Sequence, residues 1–221
     1  MSWAVFYKID SSTFKDLYTK GQTWGDLAIM KLTVGGTEIY GAGVYGAEAT
    51  PVRLSPKVGI SYGAPLKKAR ITINALALAD ANSDGVVALS LWAWKNDELT
   101  VAPGQYGIFV STVPLSNRNP YTLTRKVTMV VEIDGNTVHV TLDGSDLGTY
   151  TLDAVPTSFS VGVIIQSVTA GSVGIVITEV IGEYYVPPSP PTSTYSMVPW
   201  IVVIIIVILI ILYILRPRGG E

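Results

Sequence analysis

The amino-acid sequence predicts an all-β domain, built as a sandwich or a barrel, and three observations support this. Short runs in which apolar and polar residues alternate recur along residues 1–185. Turn signals rich in glycine and aspartate separate these runs, and one short segment alone favours a helix. Strands that alternate in this way each have one apolar face to bury. They must therefore pack as two sheets or close into a barrel.

The alternating runs predict a series of strands and two tight hairpins. The helix signal lies near residues 13–18, where Thr13 is the candidate N-cap. The motifs IDGNTV around Gly135 and LDGSDLGTY around Gly144 predict hairpin turns, because an Asp-Gly pair readily adopts the positive φ angles of a two-residue turn. Examples of the predicted strands are residues 69–79, 86–94, 106–113, 126–133, 137–142, 159–167 and 173–182.

Several strand and turn motifs in the second half of the chain carry a family resemblance. They are VVALSLWAW, QYGIFVSTV, RKVTMVVEIDGNTVHVTLDGSDLGTYTL, FSVGVIIQS and GSVGIVITEVIGEY, within residues 65–185. Together they resemble the concanavalin A-like lectin/glucanase family, and the hairpin at Gly135 is the most characteristic piece. The resemblance implies a jelly-roll β-sandwich that binds glycans, mediates adhesion or hydrolyses polysaccharides. A pattern of strands and turns specifies a fold more closely than an activity.

The C-terminal region predicts one membrane-spanning helix over residues 197–215. This run contains no charged residue, and as a helix it would rise about 28 Å, close to the ~30 Å of a hydrocarbon layer. Trp200 and Tyr213 lie near its two ends, where amphipathic aromatic side chains prefer the interface. Arg216 and Arg218 follow it in the short basic tail, 216–221. The alternative, a helix of a soluble core, needs a polar face that this run lacks.

A Pro/Ser/Thr-rich stretch, VPPSPPTSTYSMVP at residues 186–199, predicts a stalk between the domain and the membrane. At ~3.1 Å per residue in polyproline II it would extend about 43 Å. The two arginines after the anchor favour an inside tail and an outside domain. The N-terminus, MSWAVFYKID, does not read as a signal peptide. Two topologies therefore stay open: the late anchor carries the domain outward, or the domain is built into a particle in the cytoplasm.

Composition excludes several classes of function. The formal net charge is −2, so a nucleic-acid partner, which would need a basic face, is not expected. The chain has no cysteine, which excludes disulfides, thiol catalysis and thiolate zinc sites. Low charge, absent cysteine, twelve tyrosines and an Ile/Val-rich anchor favour a virus or cell envelope of a thermophilic archaeon.

The candidate hydrolase motif is VEIDG at residues 131–135. Glu132 and Asp134 are two positions apart, which places both on one face of a strand. The resemblance to glucanases implies a third carboxylate two or three positions after Asp134, as proton donor or nucleophile for cleavage. Those positions hold Asn136 and Thr137. We therefore expect an acidic pair beside a hairpin rather than an enzyme.

The segment DANSDG at residues 80–85 is the candidate metal site. Asp80, Asn82 and Asp84, followed by Gly85, match the start of a calcium loop, in which alternate short side chains supply oxygen ligands. An EF-hand would add a glutamate at the twelfth position, which is Leu91. The motif can thus be a calcium loop of another type, or a polar turn between two strands.

Trp92 and Trp94 are the candidate ligand-binding residues. They share one face of the strand over residues 86–94, and Val87, Leu89 and Leu91 take the other face, which should be the core side. Two adjacent indoles can stack on a sugar ring or on a neighbouring subunit. The alternative is that this second face is also buried.

Two further polar features are expected to be structural. His139, the one histidine, alternates with Val138 and Val140 and should face away from the core. The basic stretch LKKAR at residues 66–70 should be a solvated sheet edge that discourages strand pairing.

Two classes of function follow from the sequence. The first is a membrane-anchored structural or attachment protein of a virion or cell envelope, without enzymatic activity, that contacts other copies or other envelope subunits. The second is a tethered glycan-binding module, with or without hydrolysis, that uses Trp92 and Trp94 and a calcium ion at the Asp80 loop. The expected partners are a lipid bilayer, other subunits of a homo-oligomer or an envelope, and surface glycans.

Overall fold

The computed structural model describes residues 2–60, 68–80, 83–96, 98–100, 109–114, 124–187 and 208. Most of these residues belong to strands. The named elements are β1 (Ser2–Ile9), α1 (Ser11–Thr19), β2 (Ala28–Val34), β3 (Thr37–Gly46), β4 (Arg53–Leu54), β5 (Val58–Gly59), β6 (Lys68–Ala79), β7 (Asp84–Lys95), β8 (Glu98–Thr100), β9 (Phe109–Pro114), β10 (Thr124–Asp134), β11 (Thr137–Leu142), β12 (Ser145–Thr151), β13 (Ser158–Ala170) and β14 (Val173–Val186).

The strands form two antiparallel sheets. The eight-stranded sheet runs in the order β12-β11-β10-β6-β14-β3-β2, and β1 pairs with the second half of β14. The six-stranded sheet runs in the order β4-β13-β7-β8, with β5 also on β13 and β9 also on β7. β6 and β14 lie at the centre of the larger sheet, and β7 and β13 lie at the centre of the smaller one.

The core lies between the two sheets, and every other residue of the central strands points into it. On β10 the inward residues Met129 and Val131 are fully buried, and on β7 Leu89 and Leu91 are fully buried. They join one apolar cluster that draws on both sheets. Each such side chain contributes roughly 1.5–3 kcal/mol when it leaves water. The alternation of apolar and polar residues in the sequence therefore corresponds to the inward and outward faces of the strands in a β-sandwich.

The structure confirms the predicted strands and hairpins. Every predicted strand overlaps an observed one, although residues 106–108 of the predicted strand 106–113 lie outside the described residues. Asp134 pairs with Thr137 across one tight turn, where Gly135 has φ +63°. Leu142 pairs with Ser145 across the other, where both turn residues, at positions 143 and 144, have positive φ. Positive φ at both Asp143 and Gly144 is typical of a type I′ turn, whereas a turn with glycine at positive φ in its first position, as at Gly135, is typical of type II′.

The helix forms, but the predicted N-cap is wrong. Helix α1 begins at Ser11, and its N-cap is Asp10 rather than Thr13. The Asp10 carboxylate accepts hydrogen bonds from the backbone N–H groups of Ser12 (3.0 Å) and Thr13 (3.4 Å). Aspartate is among the strongest N-cap residues, because its side chain satisfies amides that the first turn leaves unpaired. Phe14 then anchors the helix in the core, edge-on to Trp24 at 5.4 Å.

The basic stretch at residues 66–70 is also placed differently from the prediction. Lys68 and Arg70 belong to β6, which is paired on both sides and is not an edge. Their side chains point away from the core and form ion pairs with Asp134 (2.8 Å) and Glu183 (2.8 Å) on the two neighbouring strands. The charges are thus cross-strand partners in the middle of the sheet.

The chain divides into two compact units, Met1–Val186 and Pro187–Glu221. The first unit is the β-sandwich. In the part of the chain that the structure describes, no helix has both the length and the apolar character needed to cross a bilayer. The predicted anchor over residues 197–215 lies outside the described residues except for Ile208, and so do Trp200, Tyr213, Arg216 and Arg218. The anchor and the stalk therefore stay predictions.

The N-cap of α1 yields the first testable prediction. Asp10→Ala should lower the free energy of unfolding by about 1 kcal/mol, because two amides of the first turn lose their acceptor. Asp10→Asn keeps an acceptor and serves as the matched control, so it should cost less. Thermal unfolding of the two variants measures the difference, and equal losses would contradict the capping role.

The same cap should make the Asp10→Ala effect depend on pH. Hydrogen bonds from the Ser12 hydroxyl and from the Lys8 ammonium lower the pKa of Asp10 from 3.8 to about 2. A carboxyl group whose folded pKa is depressed stabilises fully above its unfolded pKa, and this contribution is lost as the pH falls through the folded pKa. The difference in melting temperature between the wild type and Asp10→Ala should be largest at about pH 6 and should shrink as the pH falls from about 4 to about 2.

Candidate functional site

The face of the eight-stranded sheet that points away from the core, here called the outer face, carries polar side chains on several neighbouring strands. Register places its residues in rows that cross the strands. One row joins Glu132 on β10 with His139 on β11 and Arg70 on β6, and Arg70 in turn lies opposite Glu183 on β14. Cross-strand neighbours of opposite charge stabilise a sheet. This end of the outer face is therefore a charged strip.

The charged strip is held by short polar contacts. Arg70 binds Glu183 through Nε (2.9 Å) and an Nη atom (2.8 Å), which is a two-point contact. The Arg70 guanidinium also lies 4.7 Å from the ring centroid of Trp3 on β1. His139 lies 3.0 Å from Asp146 and 4.0 Å from Glu132. His139 faces away from the core, as the alternation predicted.

The opposite end of the outer face is aliphatic. Leu76, Leu78 and Val176 are buried there although they point away from the core. They are covered by partly buried aliphatic side chains of β2 and β3, namely Met30, Leu32, Val34 and Ile39. The outer face thus has its own small apolar cluster, at the end where β2 and β3 lie.

A groove of about 320 Å³ lies where the polar and the aliphatic parts of the outer face meet. We call it the outer groove. Ile39 and Leu76 supply apolar surface, and the polar lining residues are Asn74, Lys126, Thr128 and Thr178. The residues come from β3, β6, β10 and β14, which are neighbours in the sheet and distant in the sequence.

A hydrogen-bond network fixes the polar side of the outer groove. The Asn74 amide nitrogen donates to Glu179 (2.8 Å), and its amide oxygen accepts from the Thr128 hydroxyl (2.8 Å). The Thr178 hydroxyl donates to the backbone carbonyl of Asn74 (3.2 Å). Lys8 lies 3.7 Å from Glu179 and offsets its charge. The network orients Asn74 and Thr128 before any ligand arrives, which reduces the entropy cost of binding.

Lys126 brings a cation to the same groove. It is exposed, and it forms no ion pair with any carboxylate of the described residues. Arg125, next to it in the sequence, is by contrast paired with Asp143 at 2.7 Å. The Lys126 ammonium, with three N–H donors, is therefore open to a ligand in the groove.

Trp92 and Trp94 lie on the other sheet, on one shared face of β7 that points away from the core. Trp92 is only 8% exposed, and its indole N–H donates to the Ser90 hydroxyl (3.0 Å). Trp94 is half-buried and donates to the Ser160 hydroxyl (3.3 Å), and the Lys57 ammonium lies 4.2 Å from a Trp94 ring centroid. Trp92 presents little surface to a ligand, so its predicted binding role remains untested and a structural role accounts for its contacts.

The candidate calcium loop is only partly described, because Asn82 lies outside the described residues. Asp80 accepts a backbone hydrogen bond from Ser83 (3.0 Å), which is a turn contact, and its carboxylate accepts from the Tyr45 hydroxyl. Burial and then the Asp80 carboxylate raise the pKa of Tyr45 to about 12. Asp84 begins β7, and within the described residues no three acidic or histidine side chains gather into a metal-binding group. Calcium binding stays a prediction.

The acidic pair of the candidate hydrolase motif points to the outer face. Asp134 is paired with Lys68 at 2.8 Å, and Glu132 lies beside His139. Asn136 occupies the turn, and its amide donates to the carbonyl of Leu152 (3.1 Å). No carboxylate occupies the turn position where a third acid would be needed.

Sequence reasoning missed the outer groove. Its central network joins Asn74, Thr128 and Glu179, which are more than fifty positions apart from one strand to the next. A usable signal does exist, because Asn74 in RITINALALA and Glu179 in IVITEVIGE are polar residues within strongly apolar strands. Only the strand order shows that these isolated polar residues meet.

Comparisons with known proteins found solved structures of low similarity. A carbohydrate esterase from the Shiga toxin-encoding bacteriophage phi24B is 12% identical over 84% of this chain and 100% of that chain, with a TM-score of 0.48. The CBM2 module of the evolved Dit of Lactobacillus casei BL23 phage J-1 is 13% identical over 85% and 98%, with a TM-score of 0.45. Alginate lyase A1-II′, of polysaccharide lyase family 7, is 10% identical over 82% and 94%, with a TM-score of 0.43. No protein-family model and no curated protein matches the chain.

The placement of the two tryptophans yields the next prediction. Trp92→Ala should lower the free energy of unfolding by about 3–5 kcal/mol, the usual cost of emptying a buried aromatic site. Trp94→Ala, at a half-buried position, should cost clearly less. Denaturant unfolding of both variants measures this. A Trp92→Ala variant of wild-type stability would contradict the structural role.

Proposed function

We propose that the protein is a non-enzymatic attachment protein that displays a jelly-roll, glycan-binding β-sandwich at the outer surface of a virion or cell envelope. The outer groove is the binding site in this proposal, and a C-terminal helix is the membrane anchor. The outer groove is part of the described structure, and the anchor is predicted from the sequence.

The outer groove is the observation that carries the binding role. A sugar ring has hydroxyl groups at its edge and C–H groups on its faces, so it needs hydrogen-bonding partners beside apolar surface. The groove offers the Asn74 amide, the Thr128 hydroxyl and the Lys126 ammonium next to the side chains of Ile39 and Leu76. Its volume of about 320 Å³ lies at the lower end of the range for small-molecule sites.

Binding fits the site better than hydrolysis does. A glycosidase needs two carboxyl groups at a set separation, one of them able to hold a proton near neutral pH. Asp134 on the outer face is instead engaged by Lys68 at 2.8 Å, and none of the described residues that line the outer groove is acidic. Glu179 lies beside the groove but accepts from Asn74 and contacts Lys8. These carboxylates orient other side chains.

The order of segments along the chain supports display at a surface. β14 ends at Val186, and the next residues are the Pro-rich stretch that favours an extended stalk. The uncharged run 197–215 comes after it, with Arg216 and Arg218 beyond. Lipid is the solvent in which such a run satisfies its backbone as a helix. A domain held in this way can contact glycans and neighbouring subunits while it stays attached to the membrane.

The binding role predicts a specific pattern of loss. Thr128→Val and Lys126→Ala should each weaken glycan affinity roughly tenfold, because each removes one polar contact worth about 1–1.5 kcal/mol. Lys95→Ala, which removes an exposed lysine of the other sheet, is the matched control. A glycan array selects the ligand, and titration calorimetry measures the affinities.

Two outcomes would count against the binding proposal. Loss of binding in Trp94→Ala, with full binding in both groove variants, would move the site to the six-stranded sheet. If no glycan on the array binds the protein, the glycan-binding role is contradicted. Attachment would then depend on contacts with other proteins.

The anchor predicts a difference between two chain lengths. The full chain should float with phosphatidylcholine vesicles in a density gradient, because residues 197–215 partition into lipid. A chain that ends at Val186 lacks this run and should stay at the bottom of the gradient. If the full chain also remains at the bottom of the gradient, the anchor is contradicted. The proposal that the outer groove binds glycans does not depend on this result.

A further inference from the structure

Strand β2 forms one edge of the eight-stranded sheet. It pairs with β3 along its whole length, from Ala28 opposite Gly43 to Val34 opposite Thr37, without a shift of register. No described strand pairs with its other side. Within the described part of the chain, backbone N–H and C=O groups on that side have no strand partner, and such an edge is the usual template for pairing with another chain.

The β2–β3 hairpin shows which residues present these groups. Its turn, Gly35–Gly36, has two residues, both with positive φ (57° and 80°), so Val34 and Thr37 form a hydrogen-bonded pair. Hydrogen-bonded and non-bonded pairs alternate in antiparallel sheets. Val34 and every second residue before it therefore direct their backbone N–H and C=O groups to β3. The residues between them, Ile29, Lys31 and Thr33, direct theirs to the open edge.

An independent contact agrees with this assignment. Tyr40, which lies opposite Lys31 on β3, donates its N–H to the Ser11 hydroxyl (2.9 Å), on the side away from β2. A residue of a non-bonded pair must direct its N–H away from the partner strand. The same holds for Lys31, whose N–H and C=O then point to the open edge.

β12, the strand at the other end of this sheet order, is protected against pairing in ways that β2 is not. On β12 the register shifts opposite Val140, Gly148 has φ +113°, and the Gly148 N–H is taken by the Asp146 carboxylate (2.7 Å). Bulges and charges of this kind prevent edge-to-edge pairing. β2 is regular, and its one charge, Lys31, is bound to Glu38 of the same hairpin.

The open edge is also apolar on the outer face. Met30, Leu32 and Val34 are partly buried against the aliphatic cluster there, and they reach the edge of the sheet. A strand added at this edge could extend that cluster with its own aliphatic residues. A second copy of β2 supplies such residues, and a two-fold axis is the commonest symmetry of soluble homo-oligomers.

We propose that β2 pairs antiparallel with β2 of a second copy, so that the two eight-stranded sheets become one continuous sheet. The two-fold axis passes at Leu32, which puts Met30 opposite Val34 of the partner subunit and Lys31 opposite Thr33 of the partner subunit. This register makes a continuous aliphatic row on the outer face. Centring the axis on Lys31 instead would place two like charges opposite each other, which destabilises a sheet.

Cysteine cross-linking tests the register directly, because the chain has no cysteine of its own. At the axis, Leu32 faces Leu32 of the partner subunit as a non-bonded pair, with Cα atoms about 4.5 Å apart, within the range that a disulfide spans. Full-length Leu32→Cys in detergent should become mostly disulfide-linked dimer under mild oxidation. Thr151→Cys, an exposed position on β12, is the matched control and should stay monomeric on denaturing gels.

A proline variant tests the backbone pairing separately. Thr33→Pro removes an N–H that points to the open edge, so the monomer keeps its bonds to β3 but loses two contacts of the symmetric dimer. Thr33→Val keeps the N–H and is the control. Sedimentation of the full chain in detergent should show dimer for the wild type and Thr33→Val, and monomer for Thr33→Pro.

Three results would overturn the proposal. They are a wild-type chain that sediments as a monomer up to about 100 µM, cross-linking of Leu32→Cys no greater than that of Thr151→Cys, and a dimer that persists in Thr33→Pro. The last result would place any self-association elsewhere on the chain.

Discussion

The structure depends on the packing of two inner sheet faces against each other. Each central strand buries every second side chain, and a shift of one residue would turn all of them to the wrong face. The apolar residues of β7 and β13 therefore fix the register of the smaller sheet, and those of β6, β10 and β14 fix that of the larger. Once the inner faces are set, the remaining side chains must point outward. The outer groove and the charged strip are consequences of this constraint.

Local sequence patterns were enough to predict the two hairpins and seven of the strands, β6, β7, β9, β10, β11, β13 and β14, and not enough to predict the site. The strand over residues 69–79 could be predicted because its alternation and its flanking turns are local. The same segment contains Asn74, whose role depends on Thr128 and Glu179 on other strands, and strand order is not a local property. The N-cap shows the same limit on a smaller scale, because the sequence pattern indicated Thr13 and the structure places the cap at Asp10.

Trp92 shows that a correct face assignment does not by itself establish a binding role. Alternation placed Trp92 and Trp94 away from the core, as observed, and an outward indole suggests a ligand. The chain instead buries Trp92 against Ser90. A face that points away from the core of a sandwich is therefore not the same as a face open to solvent, and only the covering residues distinguish the two. On the larger sheet, by contrast, the outward face keeps a groove of about 320 Å³ between its charged and aliphatic parts.

The most direct test of the account is a map of backbone amide chemical shifts on the isotope-labelled full chain in detergent, as the glycan selected by the array is added. The account predicts that the largest changes fall on β6, β10 and β14 around the outer groove, at Asn74, Thr128 and Thr178. Changes concentrated around Trp92 and Trp94 on β7, or spread evenly over both sheets, would contradict it.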